Sequence, residues 1–254
     1  MVKINYGIEG NGEVIVFIHG LSDSMVYWEP LVQGFKNDYK VLRFDLRGHG
    51  QSELGSDEIS IDTYTDDLNG ILDQLNIQKV NLVGFSLGGA VALNFAINYP
   101  SKVSSIVLMS SFAKLSAHSE NVLNQFLNTL NIGFEEFYDY ILPLVLCPDV
   151  IEDNREELDF LKNYSASIAN VDAFKKAVVA SLNFDVWDKL ENIDVPVLFL
   201  AGKYDEIFTP DEQKELNEKI SNSRLVVLDN VRHNLLVGKN IVAVLDNLKN
   251  FYKK

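Results

Sequence analysis

The sequence predicts an α/β protein, with a mostly parallel central sheet, helices on both faces and a helical insertion in its second half. Three observations carry this reading. Between residues 14 and 109, short uninterrupted β-branched runs alternate with stretches of helical apolar spacing. That alternation is the pattern of a parallel sheet built from crossover units. It stops between residues 112 and 188, where only helical spacing is found, and resumes at Val195. In the middle of the first series, Gly84-Phe85-Ser86-Leu87-Gly88 joins a strand-like run to an apolar helical run.

Taken in order, Val2 to Tyr6 reads as a short edge strand, followed by a turn at Glu9-Gly10-Asn11-Gly12. Val14-Ile15-Val16-Phe17-Ile18 is apolar throughout, which marks a strand buried on both faces. It ends at His19-Gly20-Leu21-Ser22-Asp23-Ser24. A helix is expected over about Tyr27 to Lys36, then a strand from Tyr39 to Phe44, ending in Asp45-Leu46-Arg47-Gly48-His49-Gly50-Gln51-Ser52. Leu68, Ile71, Leu72 and Leu75 share one helical face, so a helix is expected from about Ile61 to Leu75. Lys79 to Val83 is the central strand, with the Ser86 turn and its helix after it. Val103 to Met109 is the next strand.

The insertion contains four groups of helically spaced apolar residues. These are Leu123, Phe126, Leu127 and Leu130; Phe134, Phe137, Tyr138 and Ile141, with a break expected at Leu142-Pro143; Leu158, Leu161 and Ile168; and Phe174, Ala177, Val178 and Leu182. The sheet series resumes with a strand from Val195 to Ala201, a helix to about Ile220, a strand from Arg224 to Asp229 and a last helix from Lys239 to Tyr252. The expected organisation is therefore a core in two parts, residues 1–111 and 189–254, with residues 112–188 inserted as a helical lid over the strand ends.

Composition narrows the function classes. The 254 residues are 47% hydrophobic, enough for one large core. Thirty-six acids against 22 bases give a formal charge of −14, which disfavours nucleic acid and anionic membrane as partners. No apolar run reaches the 18 or so residues of a membrane span, and the first residues lack the apolar core of a signal peptide. The single cysteine, Cys147, has no internal partner, which fits a reducing compartment, so a cytoplasmic location is expected. His19, His49, His118 and His233 are scattered, with no ligand spacing, so no metal is expected.

The G-x-S-x-G string formed by Gly84, Ser86 and Gly88 carries the chemistry. In a sharp strand-to-helix turn the serine adopts a strained backbone conformation that pushes its hydroxyl clear of the surface. The bland alternative is a glycine-rich turn whose serine only caps the helix, so partners elsewhere must decide. In parallel sheets chemistry gathers at the carboxyl ends of strands. His19, Asp45, Ser86, Asp205 and His233 all follow predicted strands.

With Ser86, Asp205 and His233 in that order, the chain resembles an α/β-hydrolase of the lid-bearing serine hydrolase and carboxylesterase branch, over nearly its whole length. His19-Gly20 resembles the family's oxyanion-loop motif, and Asp45 to Ser52 resembles its D-x-R-G-x-G-x-S loop. Two departures are evident: Arg232, not glycine, precedes His233, and Ser110 and Ser111 stand where some members place the acid. The second departure favours Asp205, with Glu206 as the weaker substitute. Serine at position 86 disfavours the branches that use aspartate there.

The resemblance implies roles. Ser86 is the expected nucleophile, His233 its base and later the acid, and Asp205 the group that orients the imidazole. The backbone N–H groups of Leu87 and Leu21 are the expected oxyanion donors. His19 and His49 are expected to brace loops, Asp45 to anchor its own loop, and Cys147 to pack. Asp205 could instead cap the helix that follows Thr209-Pro210. Tyr27, Trp28, Phe85 and Phe112 are candidates for an acyl pocket, although aromatic residues more often fill the core.

The implied activity is cleavage of a carboxylic ester with a small or medium acyl group, through an acyl-enzyme and without cofactor or metal. The partner is a small-molecule acyl substrate; the sequence leaves the oligomeric state open. The alternatives are a C–C bond hydrolase or enol-lactonase on the same three residues, or a non-catalytic ligand-binding protein on a hydrolase scaffold.

Overall fold

The computed structural model describes residues 2–253. Met1 and Lys254, the ends of the expected first and last segments, lie outside it. Among the described residues seven strands form one sheet: β1 (Tyr6–Glu9), β2 (Val14–Ile18), β3 (Lys40–Phe44), β4 (Val80–Phe85), β5 (Val103–Met109), β6 (Val197–Gly202) and β7 (Ser223–Leu228). Their order across the sheet is β1-β3-β2-β4-β5-β6-β7. Every neighbouring pair is parallel except β1 with β3, where Tyr6 pairs with Phe44 and Glu9 with Val41.

Strand β2 shows why its sequence is apolar without a break. Val14, Val16 and Ile18 pack into the core on one face, and Ile15 and Phe17 into the core on the other. A side chain alternates faces along a strand, so a strand covered on both sides needs apolar residues at every position. One face carries α2 (Ile61–Gln74), α3 (Leu87–Asn98) and α9 (Pro210–Lys219); the other carries α1 (Glu29–Phe35) and α10 (Asn240–Tyr252). Helix α2 starts at a reciprocal cap in which Ser60 and Thr63 satisfy each other's backbone N–H. Between β5 and β6 the chain forms α4 (Ala117–Ile132), α5 (Phe134–Val145), α6 (Pro148–Asp153), α7 (Arg155–Ile168) and α8 (Val171–Leu182). Apolar residues of α4, α5 and α8, among them Phe126, Phe137 and Val178, join the α2/α3/α9 core.

Four expectations need correction. The edge strand spans Tyr6–Glu9, not Val2 to Tyr6, because residues 3–5 are bonded to the loop after β3. Asp45 N donates to Asn5 O at 2.9 Å, and Glu53 N to Lys3 O at 3.0 Å. The first helix is split: Ser24 caps a 3-10 turn over Met25–Trp28, and Pro30 opens α1 after it. Helix α5 runs through Pro143 to Val145. A proline in the last turn removes only one helical bond, and the Pro143 carbonyl is taken up outside the helix by Arg232 Nη1 at 2.5 Å. The third expected helical region is two helices, α6 and α7, with Asn154 between them.

One contact sets the position of everything at the carboxyl ends of the strands: α3 lies almost against β2 and β4. A Cβ on Gly88 would sit 2.1 Å from the Ile18 carbonyl oxygen, and one on Gly84 would sit 2.3 Å from the Gly88 oxygen. Backbone on both sides leaves no room to adjust, so Gly88→Ala is expected to lower the midpoint of thermal unfolding by at least about 6 °C, against a gain of about 2–4 °C for Gly70→Ala. Gly70 lies inside α2 with nothing within 4 Å of the added carbon. Calorimetric scans of the two variants check this, and equal shifts would contradict it.

Candidate active site

Strand β4 ends at Phe85, and Ser86 turns the chain into α3 with φ 52° and ψ −119°. A non-glycine residue in that region carries a strain of about 1–3 kcal/mol and persists only where its surroundings hold it. Here Ser86 N donates to Met109 O at 2.9 Å, and the Ser111 hydroxyl donates to the Ser86 carbonyl at 2.8 Å. Ser111 was read from the sequence only as the place of a missing acid; it is a brace of the turn. The Ser86 side chain forms no hydrogen bond among the described residues and lines an internal cavity.

Asp205 and His233 meet across the loops that follow β6 and β7. His233 Nδ1 lies 2.9 Å from Asp205 Oδ2, and both residues are buried. Asp205 Oδ1 accepts from the N–H groups of Ile207 and Phe208 at 2.9 and 3.1 Å. The carboxylate is thus oriented by two backbone donors, and its remaining oxygen orients the imidazole. It does not cap α9, whose cap is Thr209 paired reciprocally with Glu212. Tyr204 N donates to Val231 O at 2.9 Å, which ties the two loops together. Glu206 is turned outward and pairs with Arg232 at 3.2 Å, so it does not compete for the imidazole. The rings of Phe85 and Phe208 flank His233 at 5.0 and 5.7 Å between centroids.

His233 and Ser86 line the same cavity, with no hydrogen bond between them among the described residues. Such bonds are often long in unliganded enzymes and tighten on the bound substrate. The backbone N–H groups of Leu21 and Leu87 also face acceptor-free space: neither donates to a protein acceptor among the described residues, and both residues line the cavity. Leu87 N is the first N–H of α3, where the helix dipole favours negative charge.

The loops around this site are held by groups the sequence marked as structural. Leu46 N donates to His19 Nε2 at 2.9 Å, so the proton sits on Nδ1, which donates to Gly20 O at 2.8 Å. Burial holds the His19 pKa well below its ordinary value of 6.5 and does the same to His49, 5.4 Å away between ring centroids. Asp45 accepts from Met25 N at 2.7 Å, Gln51 N at 2.9 Å and Asn5 Nδ2 at 2.7 Å. Arg47, buried beside them, pairs through two nitrogens with Asp67 at 2.6 and 2.8 Å and through a third with Asp57 at 2.9 Å. Cys147 is half-buried away from the cavity, its Sγ 3.6 Å from Asn230 O.

The cavity holds about 300 Å³, at the lower end of the range for small-molecule sites. Its floor is Leu21, Phe85, Ser86 and Leu87; α4, α5, α7 and α8 supply apolar walls, among them Phe126, Phe137, Ile141, Leu158 and Val178. Phe112 lines it as expected. Tyr27 instead stacks behind Phe85, 4.9 Å between centroids, and Trp28 is buried in the core on the α1 side. Among the described residues no lysine or arginine lines the cavity. One lining carboxyl was not singled out in the sequence: Asp23. It is half-buried and lines the cavity. Burial raises its pKa to about 7, with His233 opposing the shift. Its only sequence signal is its position three residues after Gly20.

Among the described residues no group of three or more His, Cys, Asp or Glu side chains is placed to hold a metal ion, and no helix is long and apolar enough to cross a membrane.

Ser86 thus lies at a strained β4–α3 turn, and Asp205 and His233 meet after the last two strands of this seven-stranded sheet. The family model of the alpha/beta hydrolase fold matches residues 13–239, and the chain belongs to that family. A Bacillus subtilis (strain 168) protein, provisionally named 2-succinyl-6-hydroxy-2,4-cyclohexadiene-1-carboxylate synthase, is 30% identical over 253 residues, covering 92% of this chain and 90% of that protein. The 3-oxoadipate enol-lactonase 2 of Acinetobacter baylyi (strain ATCC 33305 / BD413 / ADP1) is 26% identical over 236 residues, covering 90% and 85%. The crystal structure of the enol-lactonase from Burkholderia xenovorans LB400 superposes with a TM-score of 0.92 at 24% identity, covering 100% of this chain and 97% of that one.

The lowered histidine pKa values carry a sign. The unfolded chain takes up protons at about pH 6.5, whereas folded His19 and His49 resist doing so, so stability present above that pH is lost as pH falls below it. Titration followed by NMR is expected to show both rings still neutral at pH 5.5; midpoints near 6.5 would contradict the assignment.

Proposed function

We propose that the protein hydrolyses carboxylic esters of small or medium apolar acyl groups through an acyl-enzyme. The observation that supports this best is the composition of one cavity. It brings together the Ser86 hydroxyl, the Asp205-oriented His233 and two uncommitted backbone N–H groups under apolar walls without a cation. In this reading His233 takes the Ser86 proton as the hydroxyl attacks the ester carbonyl, then returns it to the leaving alcohol. Asp205 keeps the imidazole in the tautomer that accepts at Nε2 and stabilises its charged form. The N–H groups of Leu21 and Leu87 receive the developing oxyanion, each worth about 2.7–4 kcal/mol in systems of this type. Water, activated by the same histidine, then releases the acid. Residues 112–188 act as a lid whose apolar side chains hold the acyl group.

The same walls weigh against the rival chemistries. The names of the B. subtilis and A. baylyi relatives each contain a carboxylate or a diacid, and ring-cleavage C–C hydrolysis also acts on an acid. An anion buried without a cationic partner is strongly disfavoured, and no lysine or arginine lines the cavity among the described residues. The surface charge of −14 adds no steering for anions.

Purified protein is expected to cleave p-nitrophenyl butyrate and hexanoate, and a fluorophosphonate probe to label the wild type and not Ser86→Ala. Asp205→Asn is expected to stay folded, by circular dichroism, with kcat reduced on the order of 10,000-fold. Efficient turnover of a vinylogous diketo acid with none of the esters would overturn the ester reading; near-normal Asp205→Asn activity would move the acid elsewhere.

A further inference from the structure

The polar side chains that line the cavity are unequally committed. Tyr138 donates its hydroxyl to Leu158 O at 3.1 Å, and Ser181 donates to Ala177 O at 2.9 Å. Asn234 Oδ1 accepts from the Tyr27 hydroxyl at 3.1 Å and from Leu236 N at 3.0 Å. Asp23 differs from all three. Its carboxyl accepts no hydrogen bond from the protein among the described residues, although it lines the cavity between the oxyanion loop and the catalytic histidine. Its backbone N–H is tied to Gly20 O at 3.4 Å, and its Oδ2 lies 3.4 Å from where a Cβ on Gly20 would stand. Backbone geometry therefore places this carboxyl beside the site, and no protein donor occupies its oxygens.

We propose that Asp23 is a specificity-determining residue: its unpartnered carboxyl is the one carboxyl among the described residues that line the cavity, and it selects neutral ligands, above all those with a hydroxyl, amide or ammonium donor, over anionic ones. The proposal rests on the ester reading and deepens it, because it names the class of ester admitted. Two carboxylates in one desolvated pocket repel strongly, since Coulomb energy rises as the effective dielectric falls. A donor on the substrate, by contrast, makes a charge-assisted hydrogen bond to an ionised carboxylate. The groups that act on Asp23 electrostatically are His233, from the loop after β7, and Tyr27, from the 3-10 turn before α1. Neither supplies a hydrogen bond that would neutralise it.

The test compares hexanamide with hexanoate, which match in shape and differ in charge, by calorimetric titration of the wild type and of Asp23→Asn at pH 8.5. The variant keeps the side-chain shape and removes the charge. Wild type is expected to favour the amide by at least tenfold, and Asp23→Asn to reduce that preference to threefold or less. In parallel, kcat/KM for p-nitrophenyl valerate against its anionic hemiglutarate analogue is expected to move the same way. An amide-to-acid ratio unchanged by Asp23→Asn would overturn the proposal. A changed binding ratio with no turnover of either ester would uphold Asp23 and remove the ester reading instead. Loss of all binding in Asp23→Asn, with unfolding seen by circular dichroism, would be resolved with Asp23→Ser, whose ratio decides on the same criterion.

Discussion

The close approach of α3 to β2 and β4 is the constraint on which the rest of the site depends. Gly88 allows the helix to start directly over the Ile18 carbonyl, and Gly84 allows the strand to pass under the Gly88 carbonyl. With both backbones so close, the surroundings hold Ser86 in its strained conformation. The N–H of Leu87 is fixed by the same geometry, and the Ser111 hydroxyl closes the turn from β5. The proposed nucleophile and one proposed oxyanion donor are thus positioned by backbone packing. That is more rigid than positioning by side-chain rotamers, which keep some freedom even when packed.

A second layer of order is electrostatic. Buried ionisable groups near the site are either neutralised or fully partnered. His19 and His49 are kept uncharged by burial, Asp45 and Asp205 each accept three hydrogen bonds, and Arg47 faces two carboxylates. This arrangement lowers the number of charges that can change within the site. Asp23, whose carboxyl accepts no hydrogen bond from the protein among the described residues, is the exception that faces the cavity.

The strands were legible in the sequence because burial on both faces writes itself into every position. Val14–Ile18 is apolar throughout, Val80–Phe85 is apolar or glycine except for Asn81, Val103–Met109 is apolar except for two serines, and the structure places strands there within a residue or two. Helix α2 was legible through its single apolar face. Features set by distant chain were not. Edge strand β1 depends on the loop around Asp45, and the passage of α5 through Pro143 depends on its place in the last turn and on Arg232. The meeting of Asp205 with His233 followed from chain order and resemblance; the two backbone donors that orient Asp205 come from a loop conformation no periodicity encodes. Asp23 escaped notice for a related reason. Its significance lies in the absence of a partner, which only three-dimensional placement reveals.

Helix α7 gives the cavity a wall of a different kind. Leu158, Leu161 and Ser165 face the cavity, yet no residue of this 14-residue helix is fully buried, and Phe160, Tyr164 and Ile168 stand exposed. Substitutions in α7 therefore reshape the space above Ser86 while removing little of the buried area that holds the protein folded. The scaffold beneath is less tolerant where α3 meets β2 and β4, because Gly84 and Gly88 have no room for a side chain. Selection acting on such a molecule finds new substrates most readily in α7, where sequence drift alters the pocket and leaves folding intact. Divergence among descendants of this chain should accordingly concentrate in that helix, with the strand-end turns held fixed.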